Sequence, residues 1–334
     1  MSTAIDSAGA TNFARLQAKL TDQLHMRCGA REQYFKGCYR TVGAQMAKLS
    51  QGLHIGTLDM DEVTSEKDDI EVGHHNIGAY YWSKREFAKE ICVSGRSLRY
   101  DQGNAVPLIS ARLAEADDAI MDKLLVEAAC GPEIIGDQCA PTINKDICCI
   151  EHNGLGITPS KIVEVATAIR RWCPGTNIII PITVDMHAQL TKFAEFTNSD
   201  FLLNGQHSVY EGQMLESKAW YGVKFKIVKD IRHINSKTGE CQLRPLFKSE
   251  PYIPAGGAWD GETYVRHIPV WDMNAIVFEE MMAPSITVFD AWKQRRKPKG
   301  QIGIRIDHEM GFGIANPKER AVMKILETNK ELCV

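Results

Sequence analysis

The chain has 334 residues, of which 44% are hydrophobic and 24% charged, ordinary values for a folded protein. That composition excludes disorder over most of the length, and no apolar run approaches the ~18 residues of a membrane span. A formal net charge of −3 argues against a strongly basic nucleic-acid binder, and 10 cysteines are too sparse for a disulfide scaffold.

Residues 1–10 are small and polar, without the basic-then-apolar order of a secretory signal, so the cysteines are read as mostly reduced thiols in a cytoplasmic compartment. From Thr11 to Leu24, Phe13, Leu16, Leu20 and Leu24 recur at helical spacing. Over the first fifty residues Arg15, Lys19, Arg27, Arg31, Lys36, Arg40 and Lys48 oppose only Asp6, Asp22 and Glu32. This is a basic arm with too few large apolar residues to make a core by itself. The sign then reverses. Asp59, Asp61, Glu62, Glu66, Asp68, Asp69 and Glu71 face a single Lys67 between Gln51 and Val72, bracketed by glycines. The pattern predicts an extended, solvated hairpin or loop. Tyr80, Tyr81, Trp82 and Phe87 then return the chain to a packed body as β structure over Ala79–Val93.

The clearest helix is predicted from about Asn104 to Cys130. Val106, Ile109, Leu113, Ala116, Ile120, Leu124 and Ala128 recur three or four residues apart, with Asn104 as N-cap and Gly131 as stop. At 1.5 Å per residue it is ~40 Å long, the length of a spine rather than of an average helix. Thr158-Pro159 opens a second helix, ending near Trp172. Asn177–Val184 reads as a buried strand in which Pro181 marks an edge or a break, and Asp185–Phe196 as a helix. Tyr221–Val228 alternates as a strand, residues 239–272 read as long ordered loops, and Ala275–Phe278 and Ser285–Phe289 as short strands. Gln301–Asp307 is a clean period-two strand, Gly311 and Gly313 read as a bulge or bend, and Arg320–Leu326 is a last strand.

No catalytic signature appears: there is no G-x-S-x-G, H-E-x-x-H or phosphate-binding P-loop. Gly154-Leu155-Gly156 lacks the third glycine of a dinucleotide site. His74-His75, on an extended chain, point to opposite faces. In Asp307-His308-Glu309 the flanking acids point away from the ring, and no nucleophile, base and orienter set is legible. The basic run Lys293-Gln294-Arg295-Arg296-Lys297-Pro298-Lys299 reads as a solvated turn or as an ion-pair partner for an acidic surface on another copy. No cofactor or metal is expected.

What remains is a chain with two protruding segments of opposite charge. Such extensions favour contact between copies. The expected intersubunit residues are Arg15, Arg27, Arg31 and Arg40 on the arm, Asp59, Asp61, Glu62, Glu66, Asp68, Asp69 and Glu71 on the loop, and Arg295 and Arg296.

The layout resembles the major capsid proteins of tailed bacteriophages with the Hong Kong 97 fold. AYYWSKREFAKEI, leading through SLRYDQGNAVPLISARLAEADDAIMDKLLVEAACG, is similar to that family's return strand, linker and spine helix. TPSKIVEVATAIRRW and NIIIPITVDMHAQLTKF look like the helix–strand–helix of its axial domain, and YGVKFKIV like the strand that follows. MNAIVFEEMMAPSITVF and QIGIRIDHEMGFGIANPKERAVMKIL resemble the return to the peripheral domain. The resemblance implies an α+β fold in four parts: an N-terminal arm (1–50), an extended loop (51–84), a peripheral domain with the spine helix (85–155 and 276–334) and an axial α/β domain (156–275). It also implies a non-enzymatic shell subunit, assembled in a host cytoplasm into hexamers and pentamers of a virion capsid around double-stranded DNA. The expected partners are further copies, a separate scaffolding protein, a portal, a decoration protein and non-specific contact with DNA, with no membrane. Two alternatives stay open: a cytoplasmic α/β enzyme using Cys139, Cys148 and His152 with a metal, and a cellular, encapsulin-like compartment shell.

Overall fold

The computed structural model describes residues 18, 33–55, 77–94, 105–130, 149–151, 157–172, 177–193, 219–228, 231–234, 241–244, 246–247, 249–251, 253, 257–258, 264–290, 301–315 and 322–329. In chain order, the first elements are strands β1 (Arg40–Val42), β2 (Leu49–Ile55), β3 (Ile77–Ser83) and β4 (Arg85–Ser94), followed by helix α1 (Ala105–Ala129). Next come β5 (Cys149–Glu151), α2 (Pro159–Trp172), β6 (Ile178–Thr183), α3 (Val184–Leu190), β7 (Ala219–Trp220) and β8 (Val223–Val228). The remaining strands are β9 (Ile231–Ile234), β10 (Cys241–Arg244), β11 (Ser249–Pro251), β12 (Tyr264–Asp272), β13 (Ile276–Asp290), β14 (Gln301–Ile314) and β15 (Val322–Asn329).

Two main sheets organise these elements. The first has the order β1-β13-β14-β4, with β1 parallel to β13 and the other pairs antiparallel. The second runs β5-β15-β12-β6-β8-β7, with β11 also on β12. The spine helix α1 joins them. Leu113 and Ala114 pack on Ile286, Val288, Ile304 and Ile306 of the first sheet. Two to three turns later Met121 and Leu124 meet Phe278 and Met310. In the last turns Leu125, Val126 and Ala129 reach a junction cluster with Ile179, Val228, Trp271 and Ile276. Helix α2 lays Ile162, Val165, Ala166 and Ile169 on the second sheet against Ile178, Ile180, Phe225, Ile268 and Ile325. Each buried Val, Leu, Ile, Met or Phe among these contributes ~1.5–3 kcal/mol by leaving water.

Several expectations are corrected. Residues 264–272, read as loop, form the nine-residue strand β12, paired along its length with β15. The two short strands expected at 275–278 and 285–289 are one strand of 15 residues, β13, whose register shifts around Met282 absorb the polar and proline-bearing middle. The helix expected over 185–196 is the shorter α3, capped by the Thr183 hydroxyl. Pro181 sits in an interior strand, not at an edge. It does mark a break: the β6–β12 ladder stops at Ile179–Trp271, and the same register continued would set Pro181 opposite Pro269, neither having an N–H to donate. Strand β15 lies in the second sheet, beside the strands of the middle region.

The basic arm is also more self-sufficient than its composition suggests. Phe35 is fully buried and Cys38 nearly so, both within this chain's own junction cluster. Phe35 stacks edge-on against Trp271 at 5.5 Å, and the Trp271 indole donates to the Cys38 carbonyl at 2.8 Å.

Candidate assembly interface

Strands β2 and β3 pair antiparallel from Leu49–Ser83 to Ile55–Ile77, forming a two-stranded hairpin base. A two-stranded ladder is marginal in water on its own. This one is seated across β14 at two glycines on the same face. A Cβ at Gly313 would meet the Trp82 Cβ at 2.5 Å, and one at Gly311 would meet the Ser83 carbonyl at 2.6 Å. These glycines therefore serve close approach of the hairpin inside a continuous strand, and the expected bulge lies on β13 instead.

Beneath the hairpin base is a buried ion pair. Lys84 Nζ lies 2.9 Å from Glu279 Oε1, with both side chains fully inaccessible. The Trp82 indole donates to Glu279 Oε2 at 2.7 Å, and the Gln45 amide donates to Oε1 at 2.5 Å. Lys84 Nζ also donates to the Gln45 carbonyl, and the Lys84 amide donates to the Lys48 carbonyl at 2.9 Å. Burial alone would raise the Glu279 carboxyl, but hydrogen bonds from Lys84, the Gln45 amide and Trp82 outweigh it and hold the group below the ordinary carboxylate range. The Gln45 side chain in turn grips the backbone of Gln51, donating to its carbonyl at 3.1 Å and accepting from its amide at 3.2 Å.

Two further polar nodes face the spine helix. Asp122 accepts from the Tyr34 and Phe35 amides at 3.2 and 3.3 Å, fastening the arm to α1. His308 projects from β14 with Nδ1 2.6 Å from Asp117 Oδ1 and Nε2 3.1 Å from Glu280 Oε1. Its sequence neighbour Asp307 turns the other way, onto Arg305, as alternation requires. At 2% exposure the imidazole has no open face for a substrate, so this is a structural tie between helix and sheet.

Of the expected intersubunit residues, Arg40 is described, exposed at the start of β1. Arg15, Arg27, Arg31, Asp59, Asp61, Glu62, Glu66, Asp68, Asp69, Glu71, Arg295 and Arg296 lie outside the described residues, as do Cys139, Cys148 and His152. Among the described residues no cluster of ligands fit to hold a metal ion is present. Sequence reasoning missed Lys84, Glu279, Asp122 and the partners of His308. The available signal was Gly311-x-Gly313 on a period-two strand, which places both glycines on one face.

No protein-family model and no curated protein matches the sequence. Solved structures do. The capsid of Ralstonia phage GP4 superposes with a TM-score of 0.60 at 11% identity, covering 91% of this chain and 93% of that one. The mature capsid of bacteriophage PhiM1 gives 0.55 at 10% identity, over 88% and 87% of the two chains. The capsid of cyanophage P-SCSP1u gives 0.52 at 12% identity, over 89% and 88%. This chain has a phage-capsid fold. Within it, the hairpin base and the end of the arm root at Gln45 meet at Glu279.

Proposed function

We propose that this chain is a major capsid protein of the Hong Kong 97 type, a subunit that assembles with copies of itself into the icosahedral shell of a phage head. The observation that carries the reading is the match to the capsid of Ralstonia phage GP4 over 91% of this chain and 93% of that one. Physical features support it. The hairpin has a two-stranded base, and its tip bears seven acidic residues against Lys67, so the tip repels itself and gains from a basic neighbour. Arg15, Arg27, Arg31, Arg40, Arg295 and Arg296 are the proposed basic partners on adjoining copies, arranged in hexamers and pentamers. The arm, loop, peripheral and axial divisions at residues 50, 84, 155 and 275 belong to the same reading. So do double-stranded DNA inside the shell, a separate scaffolding protein, a portal and a decoration protein.

Expression of the chain with electron microscopy and sedimentation tests the proposal. Closed particles or five- and six-fold capsomers are expected. Reversing Asp59, Asp61, Glu62 and Glu66 to lysine should leave folded subunits that no longer assemble. A stable monomer of the unaltered chain at high concentration would overturn it.

A further inference from the structure

We propose that Glu279 is a positioning residue for assembly: one carboxylate ties the C-terminal end of the arm root, at Gln45, to the base of the hairpin and sets the take-off direction of the hairpin, so that neither swings without the other. The inference rests on the shell reading and deepens it, because the direction of a protruding segment matters to a chain that must meet its neighbours.

The geometry is a three-way junction at a single group. Toward the arm, Glu279 Oε1 receives the amide of Gln45, three residues beyond the end of β1. Toward the returning strand of the hairpin, Oε1 receives Lys84 Nζ and Oε2 receives the Trp82 indole. Gln45 closes the circuit to the outgoing strand by binding both backbone groups of Gln51. The turn between, residues 46–48, is exposed, with Met46 at 95%. The partners stand 195 to 234 residues from Glu279 in sequence, so only the fold brings them to this one carboxylate.

An apolar core at this point would hold the pieces together without specifying angles. A desolvated carboxylate with donors on both oxygens fixes angles, and a buried pair of this kind contributes more to a unique arrangement than to raw stability. Trp82 meanwhile rests on Gly313, so any rotation of the indole that keeps its bond to Glu279 carries the hairpin base with it.

The junction has a built-in acid response. Among the described residues, the groups facing the carboxylate are Lys84 from the β3–β4 turn, Trp82 from β3, Ser50 from β2, the Gln45 amide beyond β1 and uncharged Gly311 across from it on β14. With the folded carboxyl held low, the latch is complete above the ordinary carboxylate range. It is lost as pH falls through the lowered value.

Hydrogen exchange by mass spectrometry on unassembled full-length subunits tests this. In Glu279→Gln, peptides covering residues 40–45 and those covering 49–55 and 77–84 should all exchange roughly tenfold faster or more, while β6 and α2 stay protected. Trp82→Phe keeps the ring on Gly313 and removes one donor. It should loosen the 40–45 peptide as well as the hairpin. In the wild type both segments should loosen over one shared acid interval that Glu279→Gln lacks. The wild-type titration needs no variant, so a variant that fails to fold does not remove the test. Loosening of one segment alone, separate acid intervals, or an unchanged interval in Glu279→Gln overturns the proposal. Particle formation is scored separately. Linked exchange without particles defeats the shell reading and leaves the latch, and particles with unlinked exchange do the reverse.

Discussion

Between α2 and the second sheet the packing is aliphatic: Ile162, Val165, Ala166 and Ile169 lie against Ile178, Ile180, Ile182, Val223, Ile268 and Ile325. The spine helix, by contrast, turns Asp117, Asp118 and Asp122 inward toward the first sheet and the arm, all 6% exposed or less. Among the described residues, the second sheet's buried charges are Arg266 and Glu327, direct cross-strand neighbours on β12 and β15, with Arg266 also donating to the Thr183 hydroxyl, and Asp272, which accepts from the Asn274 amide at the end of β12. Those of the first region join pieces far apart in the chain: Asp122 to Phe35, His308 to Asp117, Glu279 to Lys84 and Gln45. Aliphatic packing is forgiving of angle and indifferent to pH, whereas buried ionic nodes demand one geometry and answer to protons. The contrast divides the molecule into a body that supplies stability and a body that supplies direction to the segments leaving it.

The contrast breaks first at Lys84. Lys84→Met leaves Glu279 buried without its cation and should cost ~3–5 kcal/mol, read as a lower denaturant midpoint near neutral pH. Adding Glu279→Gln should recover much of that loss, because the amide still accepts from Trp82 and no charge is stranded. The single loss should shrink as pH falls, since protonating Glu279 removes the charge that Lys84 balances. An equal loss at all pH values would mean that the pair acts as packing only. In the second sheet Phe225, 1% exposed, gives the matching experiment. Phe225→Ala should also cost ~3–5 kcal/mol through the cavity it leaves, but by the same amount across the acid range. A pH-dependent loss there would erase the distinction between the regions.

The two regions also differ in how far the sequence displays them. Helix α2 is legible because Ile162, Val165, Ala166 and Ile169 mark one face of a 3.6-residue period, and Gln301–Asp307 because its apolar residues alternate. β12 was hidden by Arg266, His267 and Pro269, which interrupt any apolar pattern and are accommodated only because β15 pairs along the whole strand. β13 was split in two by Met281–Pro284, where the register shifts occur. Charge marks an acidic segment at 59–71 and a basic one before residue 50, most of whose charged residues lie outside the described ones. It could not give Phe35, a single aromatic in a polar segment whose pocket is assembled from α1 and Trp271. Lys84, Glu279 and Asp122 look like surface residues in sequence, since their partners stand 87 to 234 positions away and only the fold brings them together.

The smallest expected effect sharpens the comparison from inside the first region. Asp122→Asn keeps the shape of the side chain and one acceptor oxygen, but turns an NH2 toward one of the two arm amides now bonded, from Tyr34 and Phe35. One hydrogen bond to a charged group is lost and a donor meets a donor, for a cost of ~1–3 kcal/mol. Phe35 still has its pocket, so the arm stays docked on apolar burial while its backbone loosens. Between this node and Gln45 lies the β1–β13 ladder, Arg40–Val42 against Val277–Glu279, which isolates one end of the arm root from the other. Limited proteolysis and exchange should therefore show faster opening over residues 33–39 with the Gln45–Lys84 junction unchanged. If the hairpin base loosens as well, direction is set by the whole arm root rather than at Glu279, and the division drawn between stability and direction moves from the carboxylate to the spine helix.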